Sequence, residues 1–343
     1  MRTWKKGIAA GLALVLALSL AACGGETAET PTPTPTPDEL MGIEEPVTMR
    51  VAALKGPTAM GLVKLMSDVE SGNSTDGSYE FTLAASADEV TPLLVKGDLD
   101  AACVPANLAA VLYNKTEGQI VTLGVNTLGV LYIVEKGESV QSMADLKGQT
   151  IVAAGKGSTP EYALRYLLQQ NGIDPDKDVT IDWKSEHAEC VAALASGNAS
   201  IALLPQPFVT VAGAKVGGLH TALDLTEEWA ALDNGSALLT GVVVARKEFV
   251  ETYPYATAHF LMGYAGSVGW VNENTADAAA LIAEYGIVEA APVAEKALPH
   301  CNIVCITGQE MYEKLSGYLS VLYEQAPESV GGELPRDDFY YGA

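Results

Sequence analysis

One order of local elements occurs twice in this chain, and it restricts the fold more than any single motif does. In the first pass, residues 47–54 read as a strand and Gly56-Pro57-Thr58 as a break. Residues 59–69 carry apolar side chains at 59, 62, 63, 65, 66 and 69, the stripe of a helix with Thr58 at its N-cap. A strand at 79–84, a short helix at 88–95 ending in Lys96-Gly97-Asp98, a buried strand at 101–104 and the turn Pro105-Ala106-Asn107 into a helix at 108–114 complete it. The second pass runs strand 149–154, turn Gly155-Lys156-Gly157-Ser158-Thr159-Pro160, helix 161–171 closed by Gly172, and strand 179–183. Helix 186–195 then ends at Gly197-Asn198, strand 201–204 follows, and Pro205-Gln206-Pro207 leads into a helix from Phe208. Lys96-Gly97-Asp98-Leu99-Asp100-Ala101-Ala102 mirrors Ala195-Ser196-Gly197-Asn198-Ala199-Ser200-Ile201. Strand–helix alternation of this kind builds an α/β sheet, so two passes predict two similar α/β lobes with a cleft between them. Between the passes, 120–134 holds two extended runs around Asn126-Thr127-Leu128-Gly129; 238–244 reads as a strand returning to the first lobe, and 246–343 as mostly helical.

Upstream of the doubled region lies a segment of another kind. Met1-Arg2-Thr3-Trp4-Lys5-Lys6 is basic, and residues 7–18 are apolar. That length fits the ~7–15 residues of a signal h-region and falls short of the ~20 of a permanent span. Leu20-Ala21-Ala22-Cys23 followed by Gly24-Gly25 resembles a lipobox, which implies cleavage after residue 22 and lipid attachment at Cys23. Residues 23–46 include Thr30-Pro31-Thr32-Pro33-Thr34-Pro35-Thr36-Pro37, whose alternating prolines block helix and sheet ladders and favour an extended stalk at about 3.1 Å per residue. The expectation is an extracytoplasmic body tethered to a bacterial cell membrane by lipid.

From residue 47 on, the chain is long enough for a large core divided into two lobes. Its formal charge of −23 becomes −26 once Arg2, Lys5 and Lys6 leave. Nucleic-acid binding needs a basic face, which this balance denies, and the same balance disfavours adhesion to anionic lipid. Cys103 and Cys190 lie in apolar contexts and read as buried thiols; Cys301 and Cys305 could pair, though spacing cannot show it.

The strings ALKGPTAMGLVKLM, KGDLDAACVPANLAAVLYNK, SMADLKGQTIVAAGKGSTPEYALRYLLQQNGI and DWKSEHAECVAALASGNASIALLPQPFVTVA resemble the ABC-importer substrate-binding lipoproteins of the nitrate, sulfonate, taurine and thiamine-precursor group. The stretch DLKG-x-T-I with its Gly-Ser-Thr turn and helix carries the likeness best. The resemblance covers nearly the whole body. It implies a periplasmic-binding-protein type II fold, a two-lobed flytrap with lobe I at 47–132 and 245–343, lobe II at 136–236, and hinge crossovers near 131–135 and 237–244. It further implies a monomer with no cofactor and no catalysis. The receptor so implied would capture a small organic solute, sulfonate-, carboxylate- or pyrimidine-like, and deliver it to a permease and its ATPase. The same fold also serves cytoplasmic enzymes acting on pyrimidine or aromatic precursors, against which the signal argues; a surface lipoprotein without a transport role is a third possibility.

Helix N-termini offer unpaired N–H groups and partial positive charge to an acceptor. The resemblance places three such turns at the cleft: Gly56-Pro57-Thr58, Pro105 with Asn107, and Gly157-Ser158-Thr159, where Ser158 and Glu161 also fit a capping box. Asn126, Thr127, His187, Gln206 and Thr240 complete the candidate contacts. Plain helix capping is the competing explanation for each turn. Gly155-Lys156-Gly157-Ser158 fails the phosphate-loop spacing, because the lysine precedes the second glycine. Ser267 in Ala265-Gly266-Ser267-Val268-Gly269 sits within a helical stretch, which excludes a hydrolase elbow and marks it as a packing residue. His187 and Cys190 share a helix face but lack further metal ligands at known spacing. Tyr132, Trp183, Tyr264 and Trp270 could stack on a ring-bearing solute, with core packing as the default.

Overall fold

A computed structural model describes residues 47–73 and 77–343. The signal, Cys23 and the Thr/Pro stalk lie outside the described residues. In the first lobe β1 (Thr48–Leu54), β2 (Ser78–Ala84) and β3 (Ala101–Pro105) are parallel. Helices α1 (Pro57–Met60), α2 (Val63–Glu70) and α3 (Ala87–Lys96) connect them, and α4 (Ala106–Lys115) leads on to β4 (Ile120–Leu128). After Gly129 and Val130 the chain enters a second sheet at β5 (Leu131–Lys136). That sheet continues through β6 (Thr150–Ala154), α5 (Thr159–Gln170), β7 (Thr180–Lys184), α6 (His187–Ser196), β8 (Ile201–Pro205), α7 (Phe208–Lys215), β9 (Leu219–Asp224) and α8 (Leu225–Ala230). The return is β10 (Leu239–Arg246), followed by α9 (Lys247–Thr252), α10 (Pro254–Glu273), α11 (Thr275–Glu284), α12 (Ala291–Ala297), β11 (Ile303–Ile306) and α13 (Gly308–Gln325).

The strand orders are β11-β4-β10-β3-β1-β2 and β7-β6-β8-β5-β9. Each sheet sets three parallel strands beside one antiparallel strand that arrives from the other lobe, β10 in the first and β5 in the second. The doubling predicted from sequence is therefore a doubling of topology. Its sharpest local sign is at the helix ends. Gly97 and Gly197 both take left-handed φ, 84° and 76°, and their N–H groups bond to the carbonyls of Leu93 and Leu94, and of Ala193 and Leu194. A residue with a Cβ would be strained at either position, which is why Gly stops both helices.

Strand alternation divides the core into layers. Ala102, Val104, Val242 and Val244 face a core that also takes Ile133, Ile151, Ala153, Ile201 and Leu203 of the second sheet. The opposite faces are separate: Met49, Val51, Cys103 and Val243 pack beneath α1, α2 and α10, while Tyr132, Val134, Val152 and Leu204 pack beneath α6 and α7. One apolar cluster thus runs through both lobes, and two others are private to a lobe.

The single helix expected over 59–69 is broken in two. In an unbroken helix the Leu65 N–H would bond to the Gly61 carbonyl. Here the Ser267 hydroxyl inserts into that rung, donating to Gly61 O at 2.6 Å and accepting from Leu65 N–H at 3.1 Å. Ser267 is thus a packing residue, as its helical context implied. Thr58 is not an N-cap; its Oγ1 donates to Leu54 O at 2.9 Å. The chain crosses between sheets at residues 129–130 and again between Ala230 and Leu239, so residues 131–135 lie inside β5 and 239–244 inside β10. β9, α8 and the edge strand β11 were not expected. The four described cysteines are free.

Candidate functional site

The ends of the two sheets face each other, and the contact between them differs on its two flanks. On one flank α13 spans both lobes. It packs on β4 and α4 of the first and on α5 of the second. The fully buried Tyr318 places its hydroxyl 3.0 Å from Thr159 Oγ1 and its ring 5.8 Å from that of Trp229, which lies 4.6 Å from Tyr166. Gln325 Nε2 donates to Tyr162 O at 3.1 Å, and Trp229 Nε1 to Ser236 Oγ at 2.8 Å. Gly317 is required here, because a Cβ would come within 2.7 Å of the Ser236 Cβ. Stacked and tilted aromatics of this kind add about 0.5–1.5 kcal/mol per pair beyond their burial.

On the other flank α7 and α12 leave a cavity of about 650 Å³ between them. The second lobe supplies Tyr132, Gln206, Val209, Thr210, Thr221 and Asp224; the first supplies Pro292, Val293, Lys296 and His300. The volume is that of a small-molecule pocket, apolar in the main with a few convergent polar groups. The Tyr132 hydroxyl donates to His300 O at 2.8 Å and ties the two lobes at the cavity's inner end. Burial, with the Asp224 carboxylate adding to it, raises the Tyr132 pKa, so the hydroxyl stays protonated as a donor. Gln206 is 4% exposed, and its Oε1 accepts from Thr210 Oγ1 at 2.9 Å and from Thr210 N–H at 3.4 Å. Its amide hydrogens have no acceptor among the described residues and remain available to a solute.

Of the residues predicted from sequence, Gln206 and the aromatic candidate Tyr132 line this cavity. Gly56 and Pro57 are half-buried at the start of α1, and Thr240 is half-buried in β10. Thr58, Asn126 and Thr127 are buried together and support one another: Asn126 Nδ2 donates to Thr58 O at 3.1 Å, and Thr127 Oγ1 to Asn126 Oδ1 at 3.0 Å. Gly241 closes the group, since a Cβ there would lie 2.5 Å from both Asn126 Oδ1 and Thr58 Cγ2. Asn126 thus holds the β1–α1 turn from below. Pro105 ends β3, and Asn107 Nδ2 donates to Ser329 O at 3.3 Å, away from α7 and α12. The capping box at Ser158 does not form. Glu161 Oε2 accepts instead from Gly157 N–H at 2.7 Å, and Ser158 Oγ donates to Gly155 O at 2.7 Å. With Thr159 Oγ1 held by Tyr318, the hydroxyls of Ser158 and Thr159 are both engaged within the protein. His187 opens α6 with its ring 5.2 Å from that of Phe208; its Nδ1 is buried without a partner, and desolvation lowers its pKa below the ordinary 6.5. No group of three or more His, Cys, Asp or Glu among the described residues could hold a metal.

Asp224, Lys296, His300, Thr210 and Thr221 were missed. Lys296 and His300 belong to a C-terminal segment whose sequence signals only helix, and tertiary packing carries them to α7. Of the cleft aromatics, Tyr132 reaches the cavity, Tyr264 is wholly buried, and Trp183 and Trp270 are half-buried against the cores.

Two mixed sheets of this order, joined by two crossings, define a two-lobed periplasmic-binding-protein fold. Solved structures agree. An ABC transporter protein from Parabacteroides distasonis superimposes with a TM-score of 0.73 at 22% identity, over 85% of this chain and 98% of that one. The periplasmic aliphatic sulphonate binding protein of Escherichia coli gives 0.68 at 19% identity, over 84% and 96%. The periplasmic nitrate-binding protein of Synechocystis gives 0.58 at 17%, over 85% and 83%. A comparison with curated proteins gives no match. The chain belongs to the NMT1-like family, whose pattern it matches over residues 69–286.

Proposed function

We propose that this chain is the lipid-anchored, extracytoplasmic solute receptor of an ABC importer, a monomer that hands a small organic solute to a permease and carries out no reaction itself. One observation carries the reading: a cavity of about 650 Å³ is walled by residues of both lobes, while elsewhere between the lobes α13 packs against elements of each. Such a body can close on a solute about its packed side. The hinge is the pair of crossings at 129–130 and 231–238. Fold and family support a receptor role. The solute is sulfonate-, carboxylate- or pyrimidine-like, held by Gln206 and its cavity neighbours. Cys23 is the lipid site and residues 23–46 the stalk.

A thermal-shift screen over aliphatic sulfonates, carboxylates, amino acids and pyrimidines tests the reading. A solute at 100 times its Kd adds about 2.7 kcal/mol of stability. Small-angle scattering with the stabilising solute should then show a smaller radius of gyration. A screen without any stabilising solute, or binding without compaction, would count against a closing receptor. For the anchor, Cys23→Ser should abolish labelling by a fatty-acid probe; labelling at the unsubstituted level would remove the lipid from the account.

A further inference from the structure

The cavity holds two opposite charges on opposite lobes, and neither is neutralised by the protein. Asp224 ends β9 in the second lobe; Lys296 lies in α12 of the first. Neither makes an ion pair with the other or with any described residue. They nevertheless line the same cavity. Tyr132 pairs with Asp224 in the β5–β9 ladder, and its hydroxyl reaches the carbonyl of His300, one helical turn beyond Lys296. Asp224 keeps its own fixed position, since Oδ1 accepts the Thr226 N–H at 2.8 Å and caps α8. Gln206, of the same lobe as Asp224, lines the cavity too, with its Oε1 taken by Thr210 and its amide hydrogens without an acceptor among the described residues. Val209 of one lobe and Val293 of the other add apolar wall to the same cavity.

The geometry points to a small zwitterion as the solute, its cationic group on Asp224 of one lobe and its anionic group on Lys296 and the Gln206 amide. This inference rests on the receptor reading and narrows it. A simple anion would be drawn to Lys296 and repelled by Asp224, and a simple cation the reverse. Only a solute bearing both signs satisfies both lobes together, and by bridging them it supplies differential binding to the closed state, which any ligand-driven closure requires. The chain's formal charge of −23 adds to the argument, because it repels a free anion at long range and leaves a net-neutral zwitterion unpenalised.

The test is a ladder of ω-amino acids from glycine to 6-aminohexanoate, each compared by calorimetry with the carboxylic acid and the amine of the same length. At least one amino acid should bind tenfold or more tightly than both its counterparts. Asp224→Asn keeps an N-cap residue and removes the charge, so it should fold normally and lose the preference over the acid. Lys296→Met should lose the preference over the amine. Unchanged melting temperatures in both variants would show that the loss is one of recognition. The inference is overturned if no amino acid binds, or if Asp224→Asn leaves the amino-acid-to-acid ratio as it was. Should a sulfonate, a carboxylate or a pyrimidine then bind and compact the protein, the receptor reading stands and the zwitterion falls; if none does, both fall.

Discussion

The α13 flank and the α7–α12 flank join the same two lobes by different means. On the first, Tyr318, Trp229, Leu238 and Leu225 belong to a continuous apolar core that draws on both sheets, with hydroxyl and amide bonds stitched through it. On the second, the hydrogen bond from Tyr132 to His300 O crosses a space walled by Gln206, Asp224 and Lys296. A joint made of buried area is costly to open, whereas one made of a few polar groups around a cavity can trade them for a solute. The lobes are similar in construction, but the difference between their two seams assigns one seam to stability and the other to recognition.

The largest effect should come from Trp229→Ala. Removing the indole leaves a void in the packed flank and should lower unfolding free energy by about 3–5 kcal/mol. Val293→Ala, made on a half-buried wall of the cavity, should cost about 1 kcal/mol or less. Urea titration of both variants checks the contrast, and equal losses would erase the distinction between the flanks. Next is Gln206→Ala, which withdraws the amide offered to the cavity. It should weaken solute binding about tenfold, with a smaller loss of stability from the freed Thr210 groups. Tyr318→Phe removes the bond to Thr159 and should cost about 0.5–1.5 kcal/mol of stability while solute affinity stays within about twofold. A large loss of affinity there would return the Gly157-Ser158-Thr159 turn to the binding site.

What was legible in the sequence was what is decided locally. The Gly97 and Gly197 stops, the strand–turn–helix order and the alternating apolar strands each depend on a handful of consecutive residues, and their repetition exposed the two lobes. The cavity was not legible, because Asp224, Lys296 and His300 carry no local pattern and meet only through the packing of α12 on α7. Asn126 shows the limit from the other side. A polar residue near the end of a strand is chemically suited to a solute, but burial beneath Thr58 and beside Gly241 makes it a brace for the turn. The break at Gly61 is of the same kind, since the hydroxyl that makes it comes from Ser267, far along the chain.

The smallest predicted effect concerns His187. Burial lowers its pKa below 6.5, so on acidification the unfolded chain takes up the proton first. Stability from this group is therefore complete above the ordinary value and is lost as pH falls through it. His187→Gln should flatten that part of the stability profile between about pH 7.5 and 5.5. A slope identical to that of the unsubstituted protein would mean the imidazole is solvated.

The central claim is that the lobes close on the α7–α12 side about the packed α13 side, and paired spin labels measure it most directly. Labels at the exposed positions Lys215 and Glu295 bracket the cavity flank; labels at Gln169 and Glu324 bracket the packed flank. With a saturating solute from the screen, the first distance should shorten and narrow while the second stays fixed. A change in the Gln169–Glu324 distance as large as that across the cavity, or none across the cavity, would contradict the account.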